Sequence, residues 1–246
     1  MPTKVLAGQT IVLTGTKKTQ SIMDAIENHG GRAAVFPLIT TRQFHSSQDE
    51  INKQQLHNYD WLIFTSQNAV DYFIKKIGSM RVEAKIASVG EKTTKALADV
   101  GLSVAFSPTI YSADYFVREF PTIVSGQPKC LFIRGDQAKS TIKEGLPFCV
   151  DEWTVYETIA NITQIPALID CVQHENVTVI FASPSAVQVF HEHVAPLIGW
   201  QQIRVAAIGH ITAKALQDLQ VEVAIQPAVY TMEAVLQAII LSEGQR

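Results

Sequence analysis

Trp61-Leu62-Ile63-Phe64-Thr65-Ser66-Gln67-Asn68-Ala69-Val70 recurs as Val177-Thr178-Val179-Ile180-Phe181-Ala182-Ser183-Pro184-Ser185-Ala186-Val187, with Ser66 and Ser183 standing 117 positions apart. A second block, Ala87-Ser88-Val89-Gly90-Glu91-Lys92-Thr93-Thr94-Lys95-Ala96-Leu97, returns as Ala206-Ala207-Ile208-Gly209-His210-Ile211-Thr212-Ala213-Lys214-Ala215-Leu216 at an offset of 119. The offset of 119 persists for Pro108 with Pro227 and for Tyr111 with Tyr230. Blocks kept in one order with so little drift mark an internal duplication. Each copy holds a β-branched run that hands over to an amphipathic segment. That junction, from strand to helix, is where α/β proteins bind their ligands.

The same alternation runs through the whole chain. Strands are predicted over Thr10–Thr14, Ala33–Phe36, Trp61–Thr65, Ile86–Val89, Val104–Ser107 and Lys129–Ile133. The second half adds Val177–Ala182, Val205–Ile208 and Val221–Ile225. Helical spacing covers Ser21–His29, Asn68–Ile77, Glu91–Val100, Ser112–Phe120, Gln137–Leu146, Ile165–His174, Pro184–Pro196, His210–Gln217 and Met232–Leu241. Such alternation specifies parallel sheets covered by helices, an α/β fold. Pro37–Arg42 and Val150–Thr158 are extended, alternating stretches that fit neither helix nor core strand. Gly15 matches Gly135 and Leu38 matches Tyr156 at similar offsets, so the two stretches could pair as a ribbon. Phe44–Asn58 is polar and expected at the surface, as helix or loop.

Composition narrows the function. Hydrophobic residues make up 47% and charged residues 17% of 246 positions, enough for two buried cores and unlike a disordered chain. Neither a membrane-spanning run nor a signal-peptide core is present in the sequence, so a cytoplasmic protein is expected. Cys130, Cys149 and Cys171 lack metal-ligand spacing and fit free thiols in a reducing compartment. His191 and His193 would fall on different helical faces, which disfavours a metal site. Net charge is −3, and no basic run interleaved with aromatics marks a nucleic-acid partner. An acidic ligand would therefore have to be drawn by local geometry.

The duplicated junctions offer such geometry. At Phe64-Thr65-Ser66-Gln67-Asn68 and Phe181-Ala182-Ser183-Pro184-Ser185 a hydroxyl residue stands where a helix begins. Unpaired first-turn amides and the helix dipole there favour carboxylate or phosphate. Ser66 and Ser183 could equally be simple caps. Gly90 and Gly209, with Thr93 and Thr212 three residues on, could admit a ligand close to the backbone or could merely serve turn and cap. Ser112 and Thr231, each preceded by Pro-x-x-Tyr, have acidic residues in the following turn and fit capping. Arg134 ends a strand and could grip a carboxylate with two parallel bonds, or form an ordinary salt bridge. Tyr156 could present its phenol to a ligand or pack across strands.

Taken together, Phe64-Thr65-Ser66-x-Asn68-Ala69-Val70, Val89-Gly90-x-x-Thr93, Arg134-Gly135, Val155-Tyr156-x-Thr158, Ser183-Pro184-Ser185-Ala186-Val187 and Ala207-Ile208-Gly209-x-x-Thr212-Ala213 resemble the uroporphyrinogen-III synthase family. The resemblance extends from Thr10 to about Ile240. It implies two doubly wound, flavodoxin-like parallel-sheet domains joined by a two-stranded antiparallel ladder, with the active site between them. The first domain would comprise residues 1–36 and 159–246, the second 41–149, and the linker strands 37–40 and 150–158.

The implied substrate is hydroxymethylbilane, a linear tetrapyrrole with eight carboxylates. The implied reaction is cyclisation with loss of water and inversion of ring D through a spiro intermediate, in haem biosynthesis. No metal or organic cofactor is implied. Tyr156 is the implied catalytic group, assisting hydroxyl departure. Ser66, Gln67, Asn68, Gly90, Thr93, Arg134, Ser183, Ser185, Gly209 and Thr212 are the implied substrate contacts. The family often carries Thr-Arg after the first strand; this chain has Thr14-Gly15, with Lys17 and Lys18 just beyond to supply charge. The expected state is a monomer, in transient contact with the preceding pathway enzyme and with neither nucleic acid nor membrane. The competing readings are a tetrapyrrole- or polycarboxylate-binding module of the same fold without turnover, and a two-lobed receptor of the periplasmic type.

Overall fold

The computed structural model describes residues 4–15, 20–174 and 176–244. The chain divides into two compact units, Met1–Thr40 with Ile159–Arg246, and Thr41–Thr158. The first unit opens with strand β1 (Gln9–Leu13), helix α1 (Gln20–Asn28) and strand β2 (Arg32–Val35). Strand β3 (Ile39–Gln43) leads into the second unit. There follow α2 (Asp49–Gln55), β4 (Trp61–Phe64), α3 (Gln67–Ile77), β5 (Lys85–Ser88), α4 (Glu91–Asp99) and β6 (Val104–Phe106). The second unit then adds α5 (Ala113–Ile123), β7 (Cys130–Gly135) and α6 (Thr141–Gly145). Strand β8 (Val150–Ala160) returns the chain to the first unit. That unit is completed by α7 (Ile165–His174), β9 (Asn176–Phe181), α8 (Pro184–His193), α9 (Ala195–Ile198), β10 (Ile203–Ala207), α10 (His210–Asp218) and α11 (Met232–Gly244).

The first unit holds a four-stranded sheet in the order β10-β9-β1-β2, parallel throughout. The second holds a six-stranded sheet, β3-β8-β7-β4-β5-β6, parallel from β8 to β6. The sequence offsets match β9 with β4, β10 with β5 and β1 with β7. Spatial order is then the same in both: β10-β9-β1-β2 corresponds to β5-β4-β7-β8. Chain order differs, because β1 precedes β9 whereas its counterpart β7 follows β4. The duplicated folds are therefore circular permutants.

Packing repeats as well. Phe64, the last residue of β4, meets Phe73 of α3 edge-on at 5.3 Å and 73°. Phe181, the last of β9, meets Phe190 of α8 at 5.3 Å and 89°. Each pair is nine residues apart in sequence, and all four rings are fully buried. Burying one such ring contributes about 1.5–3 kcal/mol, so each pair clamps its helix to the sheet just behind the junction.

Four segments differ from the sequence expectation. Val150–Thr158 lies within β8, whose Trp153 and Val155 are core residues. Its polar positions are satisfied by partners on other elements: Tyr59 donates to Asp151 at 2.8 Å, and Glu152 pairs with Arg134 and Lys143. Val221–Ile225 contributes only a single bridge, Ile225 to Ala206, and Pro227 lacks the N–H that would extend it. The helix expected over Gln137–Leu146 shortens to α6, because the carbonyls of Asp136 and Ala138 face the Arg134 guanidinium.

Phe44–Asn58 is not merely surface. Asp49 at the start of α2 is buried, accepting from the Trp153 indole at 2.8 Å, from the Ser46 amide at 3.2 Å and from the Lys76 ammonium. The Ser46 amide and the Lys76 ammonium share Oδ2, leaving Oδ1 to the indole. Burial pushes the Asp49 carboxyl up, but the bonds from Lys76, Trp153 and Ser46 outweigh it and hold it below its ordinary value. A carboxyl lowered on folding stabilises above its unfolded pKa, about 3.9, and loses that contribution as pH falls through the folded value. Breaking a buried pair from one side costs about 3–5 kcal/mol. Lys76→Met should therefore lower unfolding free energy by that order at neutral pH in urea titrations. Asp49→Asn should destabilise at neutral pH and converge with the parent as the medium is acidified.

Candidate active site

In the second unit, β4 and β7 end side by side at the carboxyl edge of the sheet. The chain leaves β4 towards β5 on one side and leaves β7 towards β8 on the other. Divergent connections of this kind open a crevice beyond the strand ends. Ser66 stands at its lip in extended backbone (φ −146°, ψ 147°), and its Oγ accepts the Ala69 amide at 3.0 Å, capping α3. The same oxygen lies 3.2 Å from the Tyr156 hydroxyl.

Tyr156 is delivered there by an irregularity. The register of β7 against β8 shifts between Arg134 and Gly135, bringing Gly135 opposite Tyr156. A Cβ on Gly135 would fall 2.4 Å from Tyr156 Cζ, so any side chain there would evict the ring. The Tyr156 ring also stacks on Tyr72 of α3, centroids 5.6 Å apart at 20°. Tyr72 is itself fixed, donating its hydroxyl to the Thr41 carbonyl at 2.7 Å, with the Lys75 ammonium 4.8 Å from its ring centre.

Arg134, the residue before that glycine, is internally committed. Its guanidinium donates to Glu152 and to the carbonyls of Gly135 and Ala138. Burial pushes the Glu152 carboxyl up, yet Lys143 and Arg134 outweigh this and hold it low. Arg134 thus holds the turn after β7. Thr93 and Thr212 are only 3% exposed and lie beneath the rims, which favours packing over ligand contact.

The backbone donors are better placed. Ser66 Oγ and Ser66 carbonyl take the amides of Ala69 and Val70, leaving those of Gln67 and Asn68 without a hydrogen bond among the described residues. At α4 the amides of Thr93 and Thr94 bond the Gly90 carbonyl, and those of Glu91 and Lys92 have no hydrogen bond among the described residues. Gly90 has φ +98°, where a side chain would be strained, and open space where its Cβ would be.

The first unit builds its rim where β1 and β9 end together. Thr14 Oγ1 donates to the Ile180 carbonyl at 2.8 Å and accepts the Ala182 amide at 3.4 Å. Lys17 and Lys18 fall outside the described residues. Ser183 Oγ caps α8 through the Ala186 amide at 3.2 Å, with Pro184 at the first helical position and Ser185 half-buried beside it. Gly209 precedes α10 in extended backbone, but its open side is taken by Tyr230, whose Cγ would lie 2.9 Å from an added Cβ. Ser112 and Thr231 cap their helices through the amides of Tyr115 and Ala234.

Sequence reasoning missed Tyr72, whose place four residues after Asn68 on α3 puts it on the same helical face. It also missed why Gly135 is glycine, which only the crossing of Tyr156 explains. A cavity of about 700 Å³ opens where β9 and β10 begin, lined by Asn176, Trp200, Arg204 and Glu222 among others. It touches none of the duplicated junctions, and Arg204 there is tied to Glu243 and Ser242. Among the described residues no group of three or more His, Cys, Asp or Glu could hold a metal, and no helix is long and apolar enough to cross a membrane. The carboxyl-edge rims remain the chemical candidates.

Comparison with known proteins falls on one family. The family model described as Uroporphyrinogen-III synthase HemD matches residues 20–237. A uroporphyrinogen-III synthase of Synechococcus elongatus is 30% identical over 199 residues, covering 74% of this chain and 75% of its own. One from Chlorobaculum parvum is 27% identical over 239 residues, covering 89% and 93%. Among solved structures, the uroporphyrinogen-III synthetase of Helicobacter pylori superposes with a TM-score of 0.66 over 97% of this chain and 100% of that one, at 19% identity. A mutant Thermus thermophilus uroporphyrinogen III synthase gives 0.63 over 96% and 99%, at 15% identity. The likeness to these structures carries the α/β fold, and the span of the family match carries membership: the chain belongs to the uroporphyrinogen-III synthase family.

Proposed function

We propose that this chain closes hydroxymethylbilane to uroporphyrinogen III, expelling water and inverting ring D, as a cofactor-free hydro-lyase of tetrapyrrole biosynthesis. Family membership supplies the reaction, and the contact between Ser66 and Tyr156 at the mouth of the crevice is the observation that carries it to this site. The strand orders support two flavodoxin-like domains, since β2-β1-β9-β10 counts as 2-1-3-4 along the first unit and the second is its permutant. Strands β3 and β8, neighbours in one sheet, are the proposed connecting strands.

The proposed chemistry uses one of the two directions open to the Ser66–Tyr156 contact, that in which Ser66 donates. Ser66 Oγ already accepts from Ala69, so its own proton is free to go to the Tyr156 oxygen. In that arrangement the phenol proton of Tyr156 is free for the departing hydroxyl of ring A. Water leaves as the pyrrole nitrogen supplies electrons, giving an azafulvenium-type cation. The substituted carbon of ring D attacks it, the spiro intermediate fragments and recloses, and the last proton lost can return to the tyrosine. Water is the only net by-product. Because the bilane closes unaided without inversion, the protein's larger task is to hold one curled geometry. The unpaired amides of Gln67, Asn68, Glu91 and Lys92, the open approach at Gly90, and the α8 and α10 starts at Ser183, Ser185 and Gly209 are the proposed carboxylate holders. Thr93, Thr212 and Arg134 support these loops from below.

Freshly generated hydroxymethylbilane with separation of product isomers tests the assignment. The parent should give the type III isomer; type I product alone, at the spontaneous rate, would refute the activity. Tyr156→Phe should lower kcat on the order of a hundredfold, in line with loss of a general acid, with product affinity retained. Unchanged turnover would retire the tyrosine. Gly135→Ala should reproduce much of that loss by displacing the ring, and should destabilise by about 1–3 kcal/mol through overpacking, measured by denaturant unfolding.

A further inference from the structure

Tyr230 is 52% exposed. Its ring nevertheless has a fixed seat. It lies against Gly209, where an added Cβ would come within 2.9 Å of Cγ and 3.0 Å of Cδ1. It also pairs with the His210 imidazole, centroids 5.1 Å apart and tilted 45°. Directly beside it, the amides of His210 and Ile211 open α10 without a hydrogen bond among the described residues. An aromatic ring is thus anchored against backbone, partly open to solvent, and flanked by main-chain donors.

The counterpart in the second unit is built otherwise. Tyr111 aligns with Tyr230 in sequence and is 59% exposed, yet nothing lies within 4 Å of a Cβ placed on Gly90. Glycine at 209 therefore serves to seat a ring, whereas glycine at 90 serves a turn.

We propose that Tyr230, seated on Gly209 and braced by His210, is the platform on which one pyrrole ring of the substrate rests, with that ring's carboxylate arms reaching the α10 amides. The inference rests on the proposed function above and adds a positioning residue to it. A pyrrole carrying acid arms needs both a flat apolar face and anion donors within one residue's reach. Tyr230 with the start of α10 supplies that pair.

Steady-state kinetics with hydroxymethylbilane and anaerobic equilibrium binding of uroporphyrinogen III test it together. Tyr230→Ala should raise KM and weaken product binding roughly three- to tenfold, the size of one aromatic contact, with kcat near the parent's and an unaltered circular dichroism spectrum. Tyr230→Phe should retain parental values, because the ring face and not the hydroxyl is used. Gly209→Ala should match Tyr230→Ala, and combining the two should add nothing further, since both remove the seated ring. Parental binding by Tyr230→Ala, or equal losses in Tyr230→Phe, would overturn the platform. If the parent makes no type III isomer, the proposed activity fails while the binding measurements still decide the role of Tyr230.

Discussion

A parallel strand buried on both faces has to return its chain to the opposite edge of the sheet, and a helix is the element that does so while satisfying its own backbone. Each return begins with a turn of unpaired amides at the carboxyl edge. In this chain that requirement is met at β4 with α3, β5 with α4, β9 with α8 and β10 with α10. Donors therefore accumulate along one edge of each sheet whatever the side chains are. Circular permutation leaves this intact, because it changes which strand comes first in the chain and not which strands end together.

Charge plays a smaller part than the acidity of the proposed substrate would suggest. Arg134 is spent on Glu152 and three carbonyls, Lys143 on the other Glu152 oxygen, and Lys76 on Asp49. Lys75 lies over the Tyr72 ring, close to the stack that carries Tyr156. With a net charge of −3, the carboxylate-holding role proposed above rests on main-chain dipoles over short range. Such donors do not change with side-chain substitution, so the rims can keep their function while their sequences drift.

The fold was legible because period-two and helical spacings are local properties. β4, α3, β9 and α7 lie within a residue or two of where the pattern predicts them. Misreadings arose where one distant contact overrides local pattern. β8 does not read as a core strand because Asp151 and Glu152 interrupt its apolar residues, yet Tyr59, Arg134 and Lys143 satisfy both. Asp49 looks like a surface acid until Trp153, more than a hundred positions away, is seen donating to it. The junction hydroxyls were visible as helix starts. The partner of Ser66 was not, since a register shift in β7 decides where Tyr156 points.

Duplication would make two equal rims, but these have diverged. The second unit places a phenol against its capping serine and leaves Gly90 uncovered, while the first caps α8 with Ser183 and covers Gly209 with Tyr230. A symmetric ligand would reward keeping both copies alike. A linear tetrapyrrole is not symmetric: one end carries the hydroxyl that must leave, and the other carries the ring that must invert. The roles proposed above divide accordingly, with Tyr156 as proton donor and Tyr230 as ring platform. Tyr156 stands where the first unit has Leu38, and of the matched Tyr111 and Tyr230 only the second is seated on a glycine; in a chain that preserves its strand order and its phenylalanine clamps, these differences fit the asymmetric substrate proposed above.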